Sequence, residues 1–272
     1  MTQPAAPLLI EPEELEHHLG KEDVVVVDLS EPGSFARHHV PGAVHLDYRR
    51  IVAARMPALG MLPEESAFGA ALSSIGIMSS THVIAYDDEG SGRACRLLWT
   101  LDVAGHTRAS LLNGGMQAWI NEGHRTEKGH HPLPQRSYQV TWHPGPVADK
   151  GYVLAHLGDP RTVMVDTRSP AEFSGENRHA ARGGHIPGAV NIDWVNAIDR
   201  MRNLRLKPDD ELRALFEGRG VTPDKEVITY CQTHHRSAHT YFVLRILDYP
   251  RVKGYPGSWS EWGNDPQLPA ET

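Results

Sequence analysis

Two kinds of hydrophobic pattern alternate along the chain. Short apolar runs, largely β-branched, occur at Val24–Val27, Val83–Ala85, Val163–Val165 and Val227–Tyr230. Such runs fit strands buried on both faces, as in parallel sheets. Elsewhere apolar residues fall at helical spacing: Ala94, Leu97, Leu98 and Leu101 early, and Ala238, Tyr241, Phe242, Leu244 and Leu247 late. The alternation predicts an α/β protein whose mainly parallel sheets are flanked by helices on both faces.

The order of elements occurs twice. Residues 24–48 (VVVVDLSEPGSFARHHVPGAVHLDY) answer residues 162–194 (TVMVDTRSPAEFSGENRHAARGGHIPGAVNIDW), and HVPGAV (39–44) matches HIPGAV (185–190). HVIAYDDEGSGRA (82–94) matches EVITYCQTHHRSA (226–238), and GGMQAW (114–119) answers GSWSEW (257–262). Four anchors in one order indicate a duplicated domain, and the spacing is too long for a solenoid. Copy two carries an insertion around Glu176–Gly184. The segment Gly129–Asp149 is rich in Pro and Gly and reads as a linker. Within it Tyr138, Val140 and Trp142 alternate, so part of it is expected to be extended and packed on a domain. The division expected is 1–128, linker 129–149, and 150–272.

Composition narrows the classes. The 272 residues are 40% hydrophobic and 22% charged, as in a globular protein. The net charge of −7 disfavours nucleic acid as a partner. Up to residue 140 there are 11 Lys+Arg against 17 Asp+Glu, and after it 16 against 17, so the second half is the better host for an anion. No stretch approaches the ~20 apolar residues of a membrane helix, and the N-terminus lacks a secretory pattern. Two cysteines, Cys95 and Cys231, provide neither a disulfide framework nor a CxxC zinc site. A reducing cytoplasm is the expected compartment. The seventeen histidines include the pairs His17-His18, His38-His39, His130-His131 and His234-His235. Adjacent histidines share neither a helix face nor a strand face, and no HExxH occurs, so no metal site is expected.

The copies disagree at one informative place. Copy two follows its strand with Cys231, Gln232, Thr233, His234, His235, Arg236 and Ser237, whereas copy one has Asp87 through Arg93 (DDEGSGR). A strand-to-helix turn points N–H groups inward and receives anions. A cysteine opening that turn, near Arg236, is expected to be a low-pKa nucleophile. Copy one puts a carboxylate there and adds Asp88 and Glu89. Cys95 lies on a helical pattern and reads as structural. Asp28 and Asp166 occur in both copies and read as structural, as do His39 and His185 in the two His-x-Pro-Gly-Ala turns.

With these motifs in place, the sequence resembles a tandem-domain rhodanese, a sulfurtransferase of the thiosulfate:cyanide type. The resemblance covers essentially the whole chain. It rests on VDTR (165–168) with Glu172-Phe173, GHIPGAV (184–190), Cys231 with its loop, and GSWSEW (257–262). The loop CQTHHRS resembles that of a group of bacterial thiosulfate sulfurtransferases. The resemblance implies an inactive first domain and a Cys231 persulfide, held by the loop from Gln232 to Ser237, with no cofactor beyond that covalent intermediate. The implied partners are a small-molecule sulfur donor and a thiophilic acceptor. The alternatives are 3-mercaptopyruvate as donor, delivery of the sulfur to a protein acceptor, or a rhodanese-like phosphatase. Phosphatases of this fold use a Cys-x5-Arg loop; here Cys231 to Arg236 is Cys-x4-Arg. The family's substrate arginine before the first-motif aromatic is Glu172 here, and the animal loop lysine is Thr233. Arg236, His234, His235 and Arg182 are therefore the candidate cations for the donor.

Overall fold

The structure, a computed structural model, describes residues 7–129 and 132–272. His130-His131 lies outside the described residues. The first copy runs β1 (Leu9–Ile10), α1 (Pro12–Glu16), β2 (Val24–Asp28), α2 (Pro32–Arg37), β3 (Val44–His45), β4 (Ala53–Arg55), β5 (Ala58–Met61), α3 (Glu65–Ser74), β6 (His82–Tyr86), α4 (Gly92–Val103), β7 (Ala109–Leu112) and α5 (Gly115–Asn121). The second runs α6 (Lys150–Ala155), β8 (Thr162–Asp166), α7 (Pro170–Phe173), β9 (Val190–Asn191), β10 (Ile198–Asp199), β11 (Arg205–Leu206), α8 (Asp209–Glu217), β12 (Glu226–Tyr230), α9 (Arg236–Ile246), β13 (Val252–Gly254) and α10 (Ser258–Trp262). All four apolar runs read from the sequence fall in strands.

Each copy builds a parallel sheet, ordered β1-β7-β6-β2-β3 in the first and β13-β12-β8-β9 in the second. Their registers coincide: Asp28 lies opposite Tyr86, and Asp166 opposite Tyr230. Each tyrosine hydroxyl accepts an N–H from the His-x-Pro-Gly-Ala turn of its copy, Val40 at 3.0 Å and Ile186 at 3.1 Å. His39 and His185 hold these turns. Their rings stack on Phe35 and Phe173, and each Nδ1 meets that phenylalanine's carbonyl at 2.9 Å. Asp28 and Asp166 accept the N–H of the residue two further on. The structural roles expected for these four residues are the roles they have. Trp259 and Trp262 are buried in the second core with Tyr230 and Tyr255.

The chain forms two compact units whose composition is interleaved. The first comprises the described residues up to Ile51, Pro63–His143 and Asp199–Leu206; the second comprises Val52–Leu62, Pro144–Ile198 and Lys207–Thr272. Each unit is thus completed by a hairpin from the other copy's sequence. The antiparallel β4–β5 hairpin belongs to the second unit. Asp199–Leu206 belongs to the first, where Leu206 N–H donates to Asn113 Oδ1 and Arg205 pairs with Glu11 and Glu122. The contiguous division 1–128, 129–149 and 150–272 differs from these units for that reason. It differs also because residues 132–143 of the linker belong to the first unit. Tyr138 N–H donates to Ser73 Oγ, and Trp142 lies 5.4 Å from Phe68.

Arg168, which faces Ser30 in the repeat, is fully buried. It pairs with Asp166 (Nε to Oδ1, 2.9 Å), donates to the Gly184 carbonyl, and lies 4.8 Å from the Trp259 ring centroid. Every charge in this cluster has a partner, so removing one is costly. Arg168→Met should leave Asp166 charged and unpaired, and lower stability by about 3–5 kcal/mol in urea unfolding.

Candidate active site

β12 delivers Cys231 to the carboxyl end of the second sheet, the usual ligand position in parallel α/β folds. The chain then turns through Gln232–His235 into α9. His234 carries the turn with a φ of +54°, in the left-handed region. Cys231 is only 1% exposed. Its N–H donates to Ser258 Oγ at 3.3 Å, and its carbonyl accepts from Trp259 N–H at 2.9 Å. The Gln232 carbonyl accepts from Ser260 N–H at 3.0 Å. The start of α10 therefore draws these loop carbonyls away from the cysteine side chain.

Burial of this depth pushes a thiol pKa up. Here the Arg236 charge, hydrogen bonds from the Ser237 hydroxyl and N–H, and the Thr233 N–H outweigh it, and the pKa falls to about 7. The Ser237 hydroxyl has a single proton. When it is given to the sulfur, the His234 Nδ1 contact at 2.7 Å must be donated by the histidine. Arg236 is itself fixed by a bidentate pair with Glu172, at 2.7 and 2.8 Å. Glu172 closes a capping box with Ser169 at the start of α7. Burial would raise the Glu172 carboxyl, but Arg236 and Ser169 hold it down to about 2. Ser169, Glu172, Arg236 and Cys231 thus form one line of alternating support ending at the sulfur.

A family model described as the Rhodanese-like domain matches residues 11–122 and 149–265. The chain belongs to the rhodanese family, as a tandem-domain sulfurtransferase. It is 42% identical to a thiosulfate sulfurtransferase of Pseudomonas aeruginosa, over 97% of each chain. It is 34% identical to the sulfur carrier protein TtuD of Thermus thermophilus, over 94% of each. Among solved structures, a 3-mercaptopyruvate sulfurtransferase of Escherichia coli superposes with a TM-score of 0.84 at 30% identity, covering 93% of this chain and 99% of that one.

In this rhodanese the members of the loop from Gln232 to Ser237 have different surroundings. Thr233, Arg236 and Ser237 stabilise the thiolate, and His234 orders Ser237. Gln232 points away and donates to the His179 carbonyl at 2.9 Å. His235 lies beside Trp194, with ring centroids 6.3 Å apart. Arg182, a candidate cation for the donor, has its guanidinium engaged by backbone carbonyls. Its guanidinium donates to the carbonyls of Leu268, Trp262 and Asp265 at 2.6–2.8 Å, tying the inserted segment to the C-terminal turn. Sequence reasoning treated Glu172 as the place of a missing cation and did not foresee its grip on Arg236. Among the described residues no group of three or more His, Cys, Asp or Glu is placed to hold a metal ion.

The first rhodanese domain shows what the turn does without a thiol. The Asp87 carboxylate accepts from the N–H groups of Glu89, Ser91 and Ala94 at 2.8–3.0 Å. The acidic residue fills the anion cradle as well as taking the cysteine's place. Burial and Glu89 raise its pKa to about 6 despite those three donors. Cys95, on α4, is fully buried, and burial together with Asp87 holds its thiol well above the ordinary range.

Arg236→Gln should remove the main charge on the sulfur and raise the Cys231 pKa by about 1–2. The pH profile of iodoacetamide alkylation measures this directly. Glu172→Arg should not rescue donor binding, because it sets two guanidinium groups against each other.

Proposed function

We propose that the protein moves the sulfane sulfur of thiosulfate to cyanide or another thiophilic acceptor through a persulfide on Cys231. The observation that carries this reading is a buried thiol with its pKa near 7, faced by Arg236, Ser237 and the Thr233 N–H. The thiolate attacks the outer sulfur of thiosulfate. The new bond is Sγ–S, the old S–S bond breaks, and its electron pair leaves with sulfite. The acceptor then attacks the outer sulfur, and that bond's electrons return to Sγ as thiolate. Both half-reactions use the same loop, so ping-pong kinetics follow. The cysteine itself carries the intermediate, and the scheme requires no metal, nucleotide or flavin.

Thiosulfate is favoured as donor by the relatives of that name at 42% identity. The loop CQTHHRS also lacks the Cys-Gly-Ser-Gly typical of mercaptopyruvate enzymes. The Cys-x4-Arg ring is a poor seat for a phosphoryl group. The sulfur carrier relative makes a protein acceptor the second candidate, to be compared with cyanide and small thiols as recipient. No helix among the described residues is long and apolar enough to cross a membrane. The cytoplasm, which keeps thiols reduced, suits a free thiolate at this position.

Thiosulfate treatment should add the mass of one sulfur atom to Cys231, removable by cyanide. Cys231→Ser should abolish it and Cys95→Ser should retain it. Sulfur uptake should rise with pH through about 7 as the thiolate forms, then level off. Sulfur mapped to Cys95, or thiocyanate made by Cys231→Ser, would overturn the proposal.

A further inference from the structure

The β4–β5 hairpin is encoded within the silent copy, yet it belongs to the unit that holds Cys231. Gly60, on β5, is buried against the active-site loop. A Cβ at this position would lie 2.0 Å from the Thr233 carbonyl oxygen and 2.8 Å from the Pro256 carbonyl oxygen. Both obstacles are backbone, so no side chain can swing aside to make room. Gly60 is not in the left-handed region, so the demand for glycine here is one of space. Beside it, Leu59 N–H donates to Ser260 Oγ at 3.1 Å, and Ser260 N–H holds the Gln232 carbonyl at 3.0 Å.

These contacts continue a pattern along the loop. The Cys231 carbonyl is turned toward Trp259 N–H, the Gln232 carbonyl toward Ser260 N–H, and the Thr233 carbonyl toward Gly60. Carbonyls facing the sulfur would repel a thiolate; carbonyls turned away leave the N–H groups to face it. The silent copy repeats the first of these bonds, with Met116 N–H donating to the Asp87 carbonyl at 3.0 Å. Its own exchanged hairpin makes its close approach at a different residue, Gly114, where a Cβ would lie 2.6 Å from the Asn203 carbonyl.

We propose that the β4–β5 hairpin is a positioning element of the active site. Gly60, packed on the Thr233 carbonyl, and Leu59, anchored on Ser260, fix the backbone orientation that presents the loop N–H groups to Cys231. The silent copy thereby supplies a working part of the site whose nucleophile lies in the other copy. The inference rests on Cys231 being the reactive thiol.

The test is the pH profile of Cys231 alkylation by iodoacetamide, mapped by mass spectrometry, with thermal unfolding measured in parallel. Gly60→Ala should shift the profile upward by about one pH unit, roughly a tenfold loss of reactivity below pH 7. Persulfide formation from thiosulfate should slow by a similar factor. Ser260→Ala, which removes the Leu59 anchor with little steric change, should shift the profile in the same direction by a few-fold in rate. A purely structural hairpin would lower the unfolding temperature and leave the alkylation profile in place, and that result in either folded variant overturns the proposal. Should Gly60→Ala fail to fold, Ser260→Ala alone decides. Alkylation needs no sulfur donor. A wild-type protein inert to thiosulfate would therefore sink the sulfur-transfer reading while leaving this test intact.

Discussion

A thiol buried to 1% exposure, yet with its pKa drawn down to about 7, is the constraint around which the second unit is organised. Water cannot supply the compensation, so the protein must, with one full charge and several oriented dipoles. Arg236 provides the charge, and Ser237 and Thr233 provide the dipoles. A guanidinium free to move would give an uncertain field, and Glu172 removes that freedom with two parallel hydrogen bonds. The acid costs some of the positive potential but fixes where the rest acts.

The duplicated copy serves as a natural control. Both sheets share one register at Asp–Tyr, and both turns use a stacked Phe–His pair. What differs is the occupant of the cradle. In copy one the carboxylate of Asp87 satisfies three donors internally, so an external anion finds them already engaged. In copy two the donors face a thiol whose charged form they favour. The same backbone motif holds a carboxylate in one case and a thiol in the other.

Much of this was legible in the sequence. The repeat, the parallel strands and Cys231 all follow from local patterns and from setting one copy beside the other. The partners of those residues were less accessible. Glu172 and Arg236 are 64 positions apart, and a carboxylate where a cation was expected read as a loss. Arg182 looked like a free charge because carbonyl oxygens, which occupy it, leave no mark in a sequence. Assignment of residues 52–62 to the second unit was likewise hidden, since hydrophobic periodicity identifies a hairpin but not the core that receives it. Gly60 carries the signal only once the Thr233 carbonyl is seen against it.

The interleaving of the two units also bears on how such a gene can change. After duplication, one of two copies would ordinarily be free to erode or to be deleted. Here deletion of the first copy would take residues 52–62 away from the unit that holds Cys231, and it would strand Asp199–Leu206 without the unit it completes. Selection on the second unit therefore reaches into the first copy through its hairpin. The two halves are inherited as one object, and neither can be expressed alone as a complete domain by cutting the chain at the linker.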